Sequence, residues 1–277
     1  MSDDLRIALA DALVYAADLT ILPADLKSDV LAIKKDLRDT REPGRRQKMR
    51  DEKKLQRLIR RVLLRQADSV QNYLTALYPA RTMKADPLPD MDWDDDEIAE
   101  LVVFLTAAAR EGIKIFGEKS NVKLDLTLVN TKAANWARKY AGEVIDGLNK
   151  TTRAALKEAI AAFVDTPGMT IGDAMKLMPF EPERARMVAV TEITRTYAEA
   201  NQLAANELAE EFPGVQVTKV WFTNNDDLVC DICGPLNNKE VPYDEGWGED
   251  GEPDPEGLLQ PPAHPRCRCW TDFTTKL

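Results

Sequence analysis

Every thiol and every imidazole in this 277-residue chain falls in two short runs near its C-terminal end. Cys230 and Cys233 lie in VCDICGPLNN, and His264, Cys267 and Cys269 lie in PPAHPRCRCW. A Cys-x2-Cys turn places two thiolates close enough to grip one ion at about 2.3 Å per zinc–sulfur bond, and His264-x2-Cys267 offers a second pair of similar reach. A Cys3His set is one of the ordinary structural zinc arrangements. Cys269 adds a fifth donor. Were the chain extended across it, Cys267 and Cys269 would share one face, leaving Cys269 either a fourth thiolate in place of His264 or a spare. The metal candidates are therefore Cys230, Cys233, His264, Cys267 and Cys269, with zinc as the expected ion.

The alternatives are small buried cysteines with no ion, or a redox pair at Cys230 and Cys233. The second fits poorly, because a thioredoxin-like pair sits where a strand feeds a helix and this one runs into turn residues. The opening stretch MSDDLRIALADALVYAADL has acids where a secretory leader carries bases, so a mature cytosolic start is expected, where thiols stay reduced. No apolar run approaches the roughly 18 residues of a membrane span, so no membrane partner is expected.

Catalytic zinc has its own signatures. Neither the H-x-E element that precedes P-C-x-x-C in deaminases nor the H-E-x-x-H of metalloproteases is present. His264 is the sole histidine, and as a ligand it is unavailable as a base. Neither a phosphate-binding G-x-x-x-x-G-K-[ST] nor a nucleophile G-x-S-x-G occurs. A non-enzymatic role is the expectation.

Apolar spacing predicts a mainly α fold, a helical bundle followed by a small strand-and-loop zinc-knuckle module. Leu5, Leu9 and Leu13, then Leu26, Val30, Ile33 and Leu37, predict two helices separated at Pro23 within an N-terminal region spanning 1–78. A punctuated, acid-rich linker is expected at 79–96, the bundle at 97–212 and the module at 213–277. Within the bundle, Asn149 with Thr151 and Thr152, Thr170, and Glu181 with Pro182 read as helix starts. Pro167-Gly168 and Pro213-Gly214 read as stops. The stretch GVQVTKVWFTN predicts a half-buried strand, with Val215, Val217 and then Val220 to Phe222 as its apolar positions. The loop from Asp244 to Glu256 has seven acids and no bases, and is expected to be an exposed excursion.

The chain has a formal net charge of -10, yet Lys34 to Arg65 holds fourteen Lys or Arg against five Asp or Glu. The local excess of nine leaves -19 for the rest. Leu55, Leu58, Ile59, Val62 and Leu63 form an apolar stripe on this basic stretch after a turn at Pro43-Gly44. Its cations are either a solvated helix face or a contact for an acidic partner, a protein surface or nucleic-acid phosphate.

RMVAVTEITRTYAEANQLAANE, VWFTNNDDLVCDICGPLNNKEV and PPAHPRCRCW together resemble the phage Mu protein F-like family of minor head proteins in tailed bacteriophages. The resemblance runs over about 130–273 and rests on Thr191-Glu192, on Trp221, Asp227, Cys230 and Cys233, and on Pro261, Pro262, His264, Pro265, Cys267 and Cys269. The chain departs from the usual pattern in its acidic insertion and its AHPRC run. The resemblance implies a virion protein added at or near the portal during head morphogenesis, in low copy, and packaged or ejected with DNA. Its implied partners are the portal or major capsid protein, and the charge of the basic region, read on its own, suits either an acidic portal surface or packaged DNA. The competing functional readings are a zinc-dependent nuclease or toxin-like effector delivered with phage DNA, and a plain nucleic-acid-binding zinc module. Glu192 reads as a helix-surface acid paired with Arg195 or Thr196. The resemblance alone suggests that it anchors the helix to the zinc knuckle through Arg266 or Arg268.

Overall fold

The computed structural model describes residues 41–77, 89, 91–120, 126–226 and 228–276. The two helices expected over 5–37, most of the stretch expected as a linker, and Asp227 lie outside these residues. The described chain is mainly helical with a small C-terminal strand region: α1 (Arg45–Leu77), α2 (Asp95–Lys119), α3 (Leu126–Asp165), α4 (Ile171–Lys176) and α5 (Pro182–Glu211), then β1 (Gln216–Phe222), β2 (Glu240–Pro242), β3 (Gly246–Trp247), β4 (Pro253–Asp254) and β5 (Trp270–Lys276).

The apolar stripe of α1 is buried as its spacing predicts. Leu55, Leu58, Ile59, Val62 and Leu63 pack with Leu101, Leu105 and Ala108 of α2, Ala137, Ala141 and Val144 of α3, and Ala185, Val188, Ala189, Ile193 and Tyr197 of α5. Asp94 starts α2 by accepting from the Glu97 amide while the Glu97 carboxylate accepts from the Asp94 amide, which satisfies two helix-end donors at once. Small residues let α2 and α5 approach closely. A Cβ built on Gly112 would stand 2.9 Å from the Ala200 Cβ and 3.3 Å from the Tyr197 carbonyl oxygen, so glycine is what the crossing admits. Met91 and Trp93, within the expected linker, are both buried, and Met91 packs with Val70, Leu74, Leu156, Ile160 and Phe163.

One helix boundary differs from expectation. Asn149, Thr151 and Thr152 start no helix, because α3 runs unbroken through them for 40 residues. Thr151 and Thr152 donate their hydroxyls back to the Leu148 carbonyl at 2.9 and 2.8 Å, so residues that favour caps are satisfied inside the helix instead. Thr170 does cap α4, with a reciprocal bond to Asp173, and Pro182 opens α5.

At β1 the chain pairs antiparallel with β2 on one side and β5 on the other, Thr218 opposite Pro242 and Thr274, and Phe222 opposite Trp270. The buried face of β1 is Val217, Lys219 and Trp221 rather than a face including Val220. Strand geometry puts alternate residues on opposite faces, so Trp221 and Lys219 go in together. Lys219 is tolerated there because its ammonium donates to the Leu259 carbonyl at 2.8 Å and Gln202 Oε1 at 3.2 Å, over the Trp247 ring. The acidic loop is likewise only partly an excursion. Its acids reach solvent, but Trp247 is buried edge-on to Trp221 and donates its indole N–H to the Lys239 carbonyl at 3.0 Å. Gly246 permits this by running against Gly257, with 2.7 Å between its would-be Cβ and that backbone.

Candidate metal centre

Two tight turns build the cluster. After β1, the Cys233 and Gly234 amides donate to the Cys230 carbonyl at 3.2 and 2.9 Å, folding the two cysteines onto one side. The Cys233 amide also lies 3.4 Å from the Cys230 Sγ, a backbone donor aimed at a sulfur. Before β5, the Cys267 amide donates to the His264 carbonyl at 3.1 Å and closes the second turn. The turns face each other. His264 Nε2 stands 3.1 Å from Cys230 Sγ and 3.5 Å from Cys233 Sγ, and Cys233 Sγ stands 3.9 Å from Cys267 Sγ. A tetrahedral ion bonded at about 2.3 Å to sulfur and about 2.0–2.1 Å to nitrogen separates its ligand atoms by roughly 3.5–3.8 Å. Two of the three separations match those edges, and the Cys230–His264 pair is closer.

All five predicted donors are thus brought together, in two overlapping sets: Cys230, Cys233 and His264, and Cys233, Cys267 and Cys269. Cys233 belongs to both. His264 Nδ1 lies 2.8 Å from the Pro265 carbonyl, which selects the tautomer with the proton on Nδ1 and leaves the Nε2 lone pair for the thiols or an ion. The cysteines are free thiols. Cys267 is held below an ordinary thiol pKa, chiefly by the bond from Cys233, then by one from Cys269 and by the Cys269 and Ala263 amides. Cys233, the donor in that bond, is pushed up. Several thiols crowded in a buried space favour one another's protonated form until a cation joins them, so the donor chemistry fits a metal ion. The run from Arg266 to Cys269 is not a strand, since Arg266 has φ +64° and β5 begins at Trp270, yet the Cys267 and Cys269 sulfurs still face one space.

Both cysteine turns, α5 and β1 to β4 lie within a sequence match: residues 141–271 fit the profile of the family described as phage Mu protein F like protein. That match supports the resemblance read from the two cysteine runs and the Thr191-Glu192 helix. No curated protein and no solved structure matches the chain significantly.

Within the matched residues, the cysteine turns are fastened to α5 by threonines. The Thr191 hydroxyl accepts from the Arg266 amide at 3.0 Å while donating to the Met187 carbonyl, and the Thr194 hydroxyl donates to the Cys267 carbonyl at 3.2 Å. A threonine inside a helix leaves no mark in hydropathy, and only its place beside Glu192 in the family motif pointed here. Glu192 keeps the expected pairing with Arg195 but not the expected surface position, and it does not anchor the cysteine turns. It is mostly buried rather than a surface acid, accepts a hydrogen bond from the Tyr140 hydroxyl, and lies 3.8 Å from Arg195 Nε. Burial raises its pKa, against the opposing pull of Tyr140 and Arg195. Arg266 pairs with Glu183 at 2.8 Å and Arg268 with Asp226 at 3.1 Å, so neither reaches Glu192.

Proposed function

We propose that the chain is a structural minor head protein of a tailed bacteriophage, a virion component that joins the head at or near the portal during morphogenesis and travels with the packaged DNA. The family match carries this reading, because its 131 residues, 141 to 271, take in α5, β1 to β4, the start of β5 and both cysteine turns. Its partners in that setting are the portal or the major capsid protein. No helix among the described residues is long and apolar enough to cross a membrane. The nuclease or toxin-like reading gains nothing from the cluster: its sole histidine faces two thiols, and four side-chain donors would leave no coordination position for water.

Cys230, Cys233, His264 and Cys267 are the ligands we propose, and zinc the ion, since thiolate with imidazole suits it. When bound, the ion supplies a cross-link between the two turns. Cys267 is preferred over Cys269 as the fourth ligand by its 3.9 Å approach to Cys233 and the backbone donors that support it. Residues 213–277 are the unit this cross-link stabilises. Mass spectrometry of purified particles made with and without the gene tests the function. A few copies per head, with defective heads in the deletion, is the expected result. Absence from particles, with normal heads in the deletion, overturns it.

A further inference from the structure

The exposed side of the N-terminal half of α1 carries Arg46, Arg50, Lys54, Arg57 and Arg60, at steps of three or four residues. Such spacing sets them along one face over a rise of about 21 Å. Little neutralises them. Lys54 has a loose 3.6 Å pair with Asp51, Arg50 bonds only to Gln47, and Arg46, Arg57 and Arg60 have no carboxylate partner among the described residues. The stripe ends where α2 begins to answer it: Arg61 pairs with Glu100, and Arg65 with Glu97 at 2.6 Å.

We propose that this stripe binds the phosphate backbone of double-stranded DNA without reading its sequence. An acidic protein is the other occupant its charge would suit, but protein interfaces draw their affinity from buried aromatic and apolar anchors. Between Arg46 and Arg60 this face has none to give, because Leu55, Leu58 and Ile59 are all turned into the core. Duplex phosphates ask only for cations, at one charge per roughly 1.7 Å of axis. The remainder of the chain, at -19 outside Lys34–Arg65, repels the same polymer, so contact is confined to this face and the cysteine module is held away from it. The proposed head function matters here only for where DNA is met; binding by the purified chain needs no head.

The test is fluorescence anisotropy of the full-length chain with duplexes of about 30 base pairs in two unrelated sequences, across about 50 to 200 mM salt. Both sequences should bind equally, with a log–log salt slope of about -4 and a loss of affinity of several hundred-fold over that range. Replacing Arg46, Arg57 and Arg60 together by Gln should lower the slope by about three, and replacing them by Lys should largely restore it. If the triple variant unfolds at a lower temperature, the single changes Arg57→Gln and Arg60→Gln are read instead, each lowering the slope by about one. Failure to bind either duplex at the lowest salt, an unchanged slope in the Gln variants, or capture of polyglutamate in preference to DNA would overturn the proposal. DNA binding that persists while heads prove free of the protein would sink the head function and leave this inference standing.

Discussion

Between α1, α2, α3 and α5 the buried set is aliphatic and long-reaching, Leu55, Leu58, Ile59, Leu101, Leu105 and Ile193 among others, drawn from four helices. Around β1 it is Trp221, Cys233, Leu236, Val241, Trp247, Cys267 and Cys269. Three of those seven residues are thiols, and most of the backbone between Phe222 and Trp270 is turn. A helical body of this kind holds itself by apolar area, at about 25 cal/mol per Å² removed from water. A module so small and so poor in regular structure does not bury enough to offset ordering its loops, which is the situation in which natural domains use a metal or disulfides. Around β1, cysteines occupy buried positions that aliphatic side chains fill among the helices.

The largest effect should come from breaking the cross-link. Protein purified without added metal should hold about one zinc per chain. Cys230→Ser or Cys267→Ser should lose it, forfeiting much of a binding free energy on the order of 10 kcal/mol. Hydrogen exchange should then rise from Trp221 to Phe273 and stay slow through α1, α2 and α5. Full protection in a metal-free variant would erase the contrast between the two regions, and loss of protection everywhere would make them one folding unit. Cys269→Ser should keep the metal. On the helical side, Leu58→Ala or Leu105→Ala should cost roughly 2–5 kcal/mol. Denaturant unfolding should show that loss with metal content unchanged.

How far the sequence discloses these two regions follows from what each is made of. Thiols and an imidazole are rare and chemically committed, so their gathering at 230–269 can be read directly, as can the α1 stripe from Leu55 to Leu63. Thr151 and Thr152 mislead because a hydroxyl that can cap a helix can equally bond backward within one, and only the surrounding packing decides. Trp247 is hidden in the acidic loop since local composition speaks for exposure while its partner Trp221 lies 26 residues away. Thr191 and Thr194 are silent for the same reason: their partners, Arg266 and Cys267, are more than 70 residues on.

Those threonines join the two regions, and cutting that joint should give an intermediate effect. Thr191→Val keeps the shape, removes the acceptor for the Arg266 amide, and should cost about 1–3 kcal/mol, the penalty of leaving a partly buried donor unmet. Metal should still bind, but exchange at Arg266 and Cys267 should quicken ahead of the rest of the module. Unchanged exchange there would mean that the turn stands without the helix.

The smallest effect concerns Lys219, the charged residue where the regions meet on the buried face of β1. Its side chain is 0% exposed, and desolvation lowers its pKa to about 8, with Asp244 pulling weakly the other way. In the unfolded chain a lysine titrates near 10.5. Below about pH 8 both states hold the proton, and between about 8 and 10.5 the unfolded state holds more of it. Stability contributed through this group therefore rises with pH across that window, opposite to a lysine that gains a carboxylate partner. Lys219→Met would remove the rise while leaving the Leu259 carbonyl and Gln202 without their donor. Urea midpoints of the two proteins at about pH 7 and about pH 9.5 give the comparison, since other titrations are common to both. Wild type should gain on the variant at the higher pH. Parallel profiles would show that the ammonium is solvated after all, and that β1 is not sealed between the helices and the cysteine module.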